Sequence, residues 1–183
     1  PGQAQSIIRQ MPPFLTNVGL FVDAELAEME EIISLCRLDA VQLHGSESVD
    51  LCYQLQIKVI KAFHVRVTPE NSIKEDQQRE NLRAELSNYQ VDAHLLDTFV
   101  KGKAGGTGQT FNWKLSTGLG NRTILAGGLN PENIRSAVSQ VHPYGVDVSS
   151  GVEAEPGKKD PEKVRTFVHR VRQFDFQLIN VSS

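Results

Sequence analysis

The sequence predicts an α/β fold built on a parallel β-sheet, on three observations. Short runs of β-branched and aliphatic residues alternate with stretches of helical periodicity along the chain. The apolar runs are nearly continuous, which is typical of strands that helices bury on both faces. No linker or low-complexity segment interrupts the 183 residues. We therefore predict a single domain over residues 1–183.

The elements follow from the local pattern. The predicted strands are residues 17–22, 40–44, 58–63, 93–97, 123–128 and 144–150. Residues 1–14 resemble the inside of a helix leading to a turn, and the other predicted helical segments are 24–38, 48–56, 71–90, 111–115, 131–141 and 161–174. Asp23 is placed to cap the helix that follows the first strand. Asn130 and Pro131 read as an N-cap and a first helical residue.

The composition favours a small-molecule partner. The formal net charge is −3 and the basic residues are dispersed, so nothing indicates a nucleic-acid or lipid surface. The sequence lacks an apolar run of roughly 20 residues and a signal-peptide pattern, and we expect a cytoplasmic protein. Cys36 and Cys52 fall in predicted helices without metal-ligand spacing, so we expect buried free thiols.

Polar and glycine residues at the strand ends favour a (β/α)₈ TIM barrel over a doubly wound sheet. The loops after the strands form the active-site face of such a barrel, and phosphate commonly binds the last two. Gly127 and Gly128 precede a helix N-terminus, while Ser149, Ser150 and Gly151 follow the last strand. One such glycine would indicate only a turn. Two consecutive loops of this kind predict a phosphate site.

Four motifs resemble the phosphoribosylanthranilate isomerase family nearly end to end: VQLHGSES, LLDTFVKGKAGGTGQTFNW, LAGGLNPENI and GVDVSSGVEAEPGKKD. The resemblance implies a TIM barrel that converts N-(5-phosphoribosyl)anthranilate to 1-(2-carboxyphenylamino)-1-deoxyribulose 5-phosphate in tryptophan biosynthesis. The reaction is an acid/base Amadori rearrangement, and neither a metal nor an organic cofactor is implied. Two alternatives stay open, a non-catalytic phosphate-ligand-binding remnant and a related barrel enzyme such as indole-3-glycerol-phosphate synthase.

By this resemblance, Asp97 is the general acid that protonates the ring oxygen of the sugar. A carboxylic acid at a strand end, in a partly desolvated barrel mouth, can supply that proton. The residues alone allow a second role, because Asp before a glycine-rich loop often caps the backbone N–H groups of that loop. Gly106 lies in this loop, which we interpret as a flexible cover over the substrate.

The sequence allows two roles for each of four other polar residues in or near the strand ends. Gln42 and His44 share one side of their strand and either contact substrate or hydrogen-bond within the barrel mouth, and we favour the structural role. Asp147 is either a substrate contact or a buried core carboxylate. Lys61 either faces the site or pairs with an acid across the barrel. The remaining histidines carry no spacing of a metal site or proton relay, and they are His64, His94, His142 and His169.

The sequence departs from the family pattern at its beginning. The family's first strand ends in the cysteine that acts as general base, and its second-strand loop carries an arginine for the anthranilate carboxylate. The resemblance aligns our six strands with strands three to eight. Cys36 and Cys52 lie in predicted helices and cannot replace the base. We expect residues 1–183 to need the missing segment, in cis or as a partner, and to be inactive or self-associated without it.

Overall fold

The computed structural model describes residues 1–66, 75–99, 110, 112–120 and 122–181, with side chains to residue 174. The chain divides into two compact units. The first unit comprises Pro1–Phe63 and Ala84–Leu95, and the second comprises His64–Arg83 and Leu96–Ser183. The prediction that residues 1–183 form a single domain stays a prediction.

All six predicted strands are present. They are β1 (Val18–Phe21), β2 (Ala40–Leu43), β3 (Lys58–Arg66), β4 (Ala93–Phe99), β5 (Thr123–Leu125) and β6 (Gly145–Val146), and they follow one another in sequence order in one sheet. The pairs β1 with β2, β2 with β3 and β5 with β6 are parallel, as predicted. The fifth strand ends earlier than predicted because Gly127 and Gly128 take φ values of 79° and 67°, outside the β region.

Six α-helices alternate with these strands in the described residues. They are α1 (Gly2–Ile8), α2 (Leu26–Cys36), α3 (Val49–Gln54), α4 (Glu75–Ser87), α5 (Ile134–Val141) and α6 (Pro161–Val181). A 3₁₀ helix, Trp113–Ser116, replaces the short helix predicted at 111–115, of which residue 111 lies outside the described part. Residues 71–74 of the predicted fourth helix also lie outside it. Cys36 and Cys52 are buried free thiols in helices, as predicted.

Two predicted helix caps are wrong, because Asp23 makes a contact with a distant loop and Asn130 lies in a local turn that precedes its helix. Helix α2 begins after Glu25, and Asp23 instead accepts a hydrogen bond from the Ser46 N–H at 2.6 Å. Helix α5 begins after Asn133. Asn130 and Asn133 exchange side-chain to backbone hydrogen bonds of 2.9 and 3.0 Å, which fold the preceding segment into a turn.

Each unit has its own apolar core. In the first unit, Val41 and Leu43 alternate along β2 and pack with Phe21, Met29 and Cys52 on the helix-facing side of the strands. In the second unit, the buried residues of α5 recur at helical spacing as Ile134, Ala137, Val138 and Val141, and this helix packs against α6.

A β-hairpin in the second unit has no counterpart among the predicted elements. Strand β7 (Glu153–Glu155) pairs antiparallel with β8 (Lys158–Lys159). The turn between them is Pro156-Gly157, and Gly157 has a φ of 80°. Both strands are short and mostly exposed, so hydrophobic alternation gave no signal for them.

Among the helices that the structure describes, none has the length and hydropathy needed to cross a membrane.

A buried ion pair joins strand β3 to the loop after β2 in the first unit. Lys61 Nζ lies 3.0 Å from Glu47 Oε2, and the two side chains are 4% and 1% exposed. The ammonium also donates to the Gly45 carbonyl at 2.8 Å. The carboxylate in turn accepts from the backbone N–H groups of Asp23 and Gly45, each at 3.0 Å. Lys61 therefore pairs with an acid, as one of its two predicted alternatives has it, but this acid lies in the loop after the neighbouring strand β2 and not across the barrel.

The loop contacts decide the protonation of this acid. Burial alone raises the pKa of Glu47, but hydrogen bonds from the Asp23 N–H and its own N–H, together with Lys61, outweigh burial and leave the pKa below its usual value. The carboxylate is therefore charged at neutral pH. A lowered pKa in the folded state means that Glu47 stabilises the fold above its ordinary pKa of 4.5 and loses that contribution as the pH falls.

Lys61→Met leaves the Glu47 carboxylate buried without its cation, so we expect the free energy of unfolding to fall by about 3–5 kcal/mol. Urea unfolding at pH 7 measures the change. The matched control is Lys58→Met on the same strand, where the side chain is exposed, and we expect it to stay within about 0.5 kcal/mol of the unmodified chain. Equal values for the two variants would contradict the structural role of the buried pair.

Glu47→Gln should make stability less dependent on acid. The unmodified chain loses the contribution of Glu47 as the pH falls below 4.5, whereas glutamine does not titrate. The stability difference between the two proteins should therefore shrink from pH 7 towards pH 3 in parallel urea titrations. A difference that is constant across this range would show that the charge of Glu47 does not stabilise the fold.

Candidate active site

Three consecutive strand ends of the second unit lie side by side. The Ala126 N–H donates to the Leu96 carbonyl at 2.8 Å, which places the end of β5 beside the end of β4. The Asp147 N–H donates to the Leu125 carbonyl at 2.9 Å, which places the end of β6 beside β5. The predicted acid and both predicted phosphate loops therefore emerge from adjacent strands.

Gly127 allows the loop after β5 to approach the end of β4 closely. A Cβ atom at this position would lie 2.3 Å from the Thr98 nitrogen and 2.5 Å from Asp97 Oδ1. The φ of 79° disfavours any other residue as well. The Thr98 hydroxyl spans the same gap and lies 3.3 Å from the Gly127 carbonyl. Only glycine at 127 lets the β5 loop pack directly on the carboxylate of Asp97.

Gly151 allows the loop after β6 to approach the loop after β5 closely. A Cβ atom here would lie 1.8 Å from the Leu129 carbonyl oxygen and 3.1 Å from Asn130 Cα. The loop after β6 therefore packs backbone to backbone on the loop after β5. Asn133 Nδ2 donates to the Gly128 carbonyl at 2.9 Å and fixes that loop from the side of helix α5.

The two loops carry backbone donors that an anion could use. Within the part of the chain that the structure describes, Gly127, Gly128, Ser150 and Gly151 donate their N–H groups to no acceptor. Ser149 and Ser150 are exposed, so their hydroxyls are accessible to a ligand. Successive unpaired N–H groups in a glycine-containing turn form the kind of concavity that binds phosphate.

Asp97 is half-buried at the end of β4, and its Oδ1 accepts a hydrogen bond from the Thr98 N–H at 2.8 Å. This contact matches the capping alternative and does not test the acid role. A side-chain nitrogen of His64 lies within 4.8 Å of a carboxylate oxygen of Asp97. Sequence spacing could not reveal the pair, because it arises from the pairing of strands.

Asp147 is exposed, which contradicts the alternative of a buried core carboxylate. Its contact with substrate stays a prediction. In the first unit, Gln42 is buried and its Nε2 lies 2.9 Å from His44 Nδ1, so the two share one side of β2 as predicted. This contact accords with their structural role.

The three remaining histidines make local contacts among the described residues. Gly106 lies outside the described residues. His94 Nε2 is 3.0 Å from the Tyr89 carbonyl, and its ring contacts Phe63 edge-on. His142 ends helix α5 in a left-handed conformation, and His169 hydrogen-bonds to Gln173 on helix α6.

A family model described as N-(5'phosphoribosyl)anthranilate (PRA) isomerase matches residues 1–170. The N-(5'-phosphoribosyl)anthranilate isomerase of Pelobacter propionicus is 47% identical over 175 residues, which cover 94% of this chain and 78% of the relative. The chain belongs to this family. The isomerase of Geobacter metallireducens is 46% identical, over 94% of this chain and 80% of the relative.

Solved structures of the family confirm the fold class. The phosphoribosyl anthranilate isomerase of Thermotoga maritima is similar with a TM-score of 0.80 and 37% identity, covering 94% of this chain and 80% of that chain. A second isomerase structure, in complex with reduced 1-(o-carboxyphenylamino)-1-deoxyribulose 5-phosphate, has a TM-score of 0.76 and 36% identity over 94% and 79% of the two chains. The six parallel strands belong to a TIM barrel, as predicted.

Family membership confirms the predicted enzyme class and function. The protein is an isomerase of tryptophan biosynthesis that acts on a small-molecule substrate, as predicted from the resemblance. These matches favour neither the indole-3-glycerol-phosphate synthase alternative nor the non-catalytic one.

Gly151→Ala should disrupt the phosphate loop, because its Cβ would lie 1.8 Å from the Leu129 oxygen and force the two loops apart. We expect a loss of about 1–3 kcal/mol in stability and a fall in kcat/KM of about 10²-fold. Urea unfolding and steady-state kinetics measure both. Gly145→Ala on β6 is the matched control, since its Cβ would make an ordinary contact of 3.6 Å with Ile124. A Gly151→Ala protein with unaltered kinetics would contradict the proposed loop contact.

Proposed function

We propose that Asp97 is the general acid of the isomerisation and that the loops after β5 and β6 bind the phosphate of the substrate. One observation carries the proposal. The carboxylate of Asp97 and the backbone N–H groups of both loops belong to three adjacent strand ends of the second unit. The C-terminal ends of strands form the active-site face of this barrel fold.

The chemistry explains why an acid is needed. The nitrogen lone pair of the aminated sugar forms a C=N bond as the bond from C1 to the ring oxygen breaks, and the ring oxygen takes a proton. Asp97 supplies that proton in this proposal. Loss of the proton from C2 then gives an enolamine, which tautomerises to the ketone. The net reaction is an isomerisation.

The contact between Asp97 and Thr98 is compatible with this role. Oδ1 accepts the Thr98 N–H, which fixes the rotation of the carboxyl group, and in this proposal Oδ2 carries and delivers the proton. The capping and acid readings therefore describe two oxygens of one side chain. The approach of Gly127 to Oδ1 holds the group from a second side.

The general base is assigned to neither cysteine of this chain. Cys36 and Cys52 lie in helices α2 and α3, away from the strand ends, and both are buried. Burial raises the pKa of the Cys52 thiol above its usual value, and this disfavours the thiolate that a base requires.

The phosphate end of the substrate is proposed to accept hydrogen bonds from Gly127, Gly128, Ser150 and Gly151. Their N–H groups have no acceptor among the described residues, so a phosphate would not have to displace an internal bond. The Ser149 and Ser150 hydroxyls add donors on the exposed side. The structure of a related isomerase in complex with reduced 1-(o-carboxyphenylamino)-1-deoxyribulose 5-phosphate supports a phosphosugar ligand of this class.

Asp97→Asn distinguishes the general-acid role of this residue from its capping role, because asparagine can still accept the Thr98 N–H but has no carboxyl proton to donate. We expect kcat to fall by about 10²–10⁴-fold with a modest change in KM. The loss of phosphoribosylanthranilate fluorescence over time measures turnover in the complete enzyme.

The matched control for this experiment is Asp92→Asn. Asp92 Oδ2 likewise accepts one backbone N–H, from Val59 at 2.8 Å, in the first unit. We expect this variant to turn over nearly normally. Normal turnover of Asp97→Asn as well would remove the acid role and leave Asp97 as a capping residue.

A further inference from the structure

Lys159, on strand β8 of the hairpin, contacts the proposed phosphate loop directly. Its Nζ donates to the Ser149 carbonyl at 2.9 Å and lies 3.2 Å from the Ser149 hydroxyl oxygen. A third bond, of 2.8 Å, goes to the carboxylate of Glu153 on β7. The hairpin thus places a cation against the first residue of the loop after β6.

The three contacts account for all the donors of the ammonium group, since a lysine has three N–H bonds and no acceptor. Lys159 therefore has no donor left for a ligand in this arrangement. Any effect on phosphate has to pass through Ser149, which makes Lys159 a positioning residue.

The Ser149 carbonyl determines where the next N–H group points. In a planar trans peptide the C=O and N–H bonds face opposite sides. Lys159 binds the Ser149 oxygen at 2.9 Å, more closely than the Val152 N–H, which lies at 3.4 Å. Because this bond holds the oxygen on the hairpin side, the Ser150 N–H is directed away from the hairpin. That N–H is one of the donors without an acceptor among the described residues.

The Ser149 hydroxyl is oriented by the same cation. Its oxygen accepts from Lys159, so its own hydrogen is available to donate elsewhere. A hydrogen bond received by a hydroxyl strengthens the bond that it donates. Ser149 is exposed, so that second bond can reach a ligand.

The hairpin is itself anchored at both ends. The Asp160 N–H donates to the Val152 carbonyl at 2.8 Å, and Lys163 Nζ donates to the Glu153 carbonyl at 2.7 Å. The hydrogen bond from Lys159 lowers the pKa of Glu153, so the carboxylate is charged at neutral pH. Lys159 is therefore supported by a short, tied segment at the start of helix α6.

We propose that Lys159 is a positioning residue for substrate phosphate, which holds the Ser149–Ser150 peptide and the Ser149 hydroxyl in the orientation that binds the anion. The inference rests on the phosphate site proposed above and adds a residue that does not itself touch the ligand.

Lys158 provides a matched control in the same hairpin. It carries the same charge, lies next in sequence and pairs only with Glu155 at 3.1 Å on the exposed surface, among the described residues. Lys158→Met and Lys159→Met therefore remove the same charge from the same hairpin. Only Lys159→Met removes the bonds to Ser149. A difference in phosphate binding between the two variants therefore does not come from the general electrostatic attraction of the lost charge.

The experiment measures inorganic phosphate binding and steady-state kinetics for both variants. We expect Lys159→Met to weaken phosphate binding and raise KM by about tenfold, the size expected for lost charge-assisted hydrogen bonds, with kcat changed less than about threefold. Lys158→Met should change either quantity less than twofold. Lys159→Arg, which keeps the charge and the donors, should restore most of the affinity.

Five outcomes would overturn the inference. Equal effects of the two methionine variants would assign the role to charge alone, and an arginine variant no better than methionine would remove the hydrogen-bonding argument. A loss confined to kcat would place Lys159 elsewhere in the reaction. If Lys159→Met leaves phosphate binding unaltered, this inference is overturned and the proposed phosphate site is not. A lack of phosphate binding by the unmodified enzyme would overturn the proposed phosphate site together with it. Circular dichroism and urea unfolding verify that each variant is folded.

Discussion

The close backbone approach of consecutive strand ends is the constraint on which the proposed site depends. At Gly127 and Gly151 there is no room for a Cβ atom, so each loop rests directly on the loop or strand end before it. Any side chain at these positions would separate the carboxylate of Asp97 from the β5 loop, or the β5 loop from the β6 loop. A tetrahedral anion is small, and N–H groups from two loops can reach it together only when the loops are this close. Glycine here contributes through the absence of atoms more than through flexibility.

The first unit holds its strand ends in a different way. Lys61 and Glu47 form a buried pair whose remaining hydrogen bonds go to backbone groups of the strands and loops, so a charge interaction joins the loops after β1 and β2. Glycine is still required at one point, since a Cβ at Gly45 would lie 2.4 Å from Asp23 Oδ1. Burying both charges is costly unless every donor and acceptor is used, and here backbone groups complete the network. Such a pair fixes loop geometry more than it adds net stability.

The proposed site in the second unit consists of groups that would contact the ligand and groups that hold those in place. In the proposal, Asp97 and the loop N–H groups face the ligand, whereas Thr98, Asn133 and Lys159 make hydrogen bonds to backbone or carboxylate that support them. The supporting groups come from a strand end, a helix and a hairpin. Their contacts use up donors and acceptors that would otherwise compete for the anion. A rigid set of donors binds phosphate without reorganising, which is the physical advantage of such support.

The sequence by itself determined the number and order of the strands, the alternation with helices and the residues at the strand ends, because apolar periodicity and glycine-rich loops are local signals. It also carried the family resemblance that predicted the isomerase. Only the tertiary structure decided which side chains meet. Asp23 bonds to the loop of Ser46 instead of capping its helix, Lys61 pairs with Glu47, and His64 lies near Asp97. Each of these depends on which strand ends become neighbours, and a single sequence holds no local record of such long-range pairing. The β7–β8 hairpin escaped prediction for a related reason. Its short exposed strands bury almost nothing, so their place is fixed by bonds to Ser149 and helix α6 and leaves no hydrophobic pattern in the sequence.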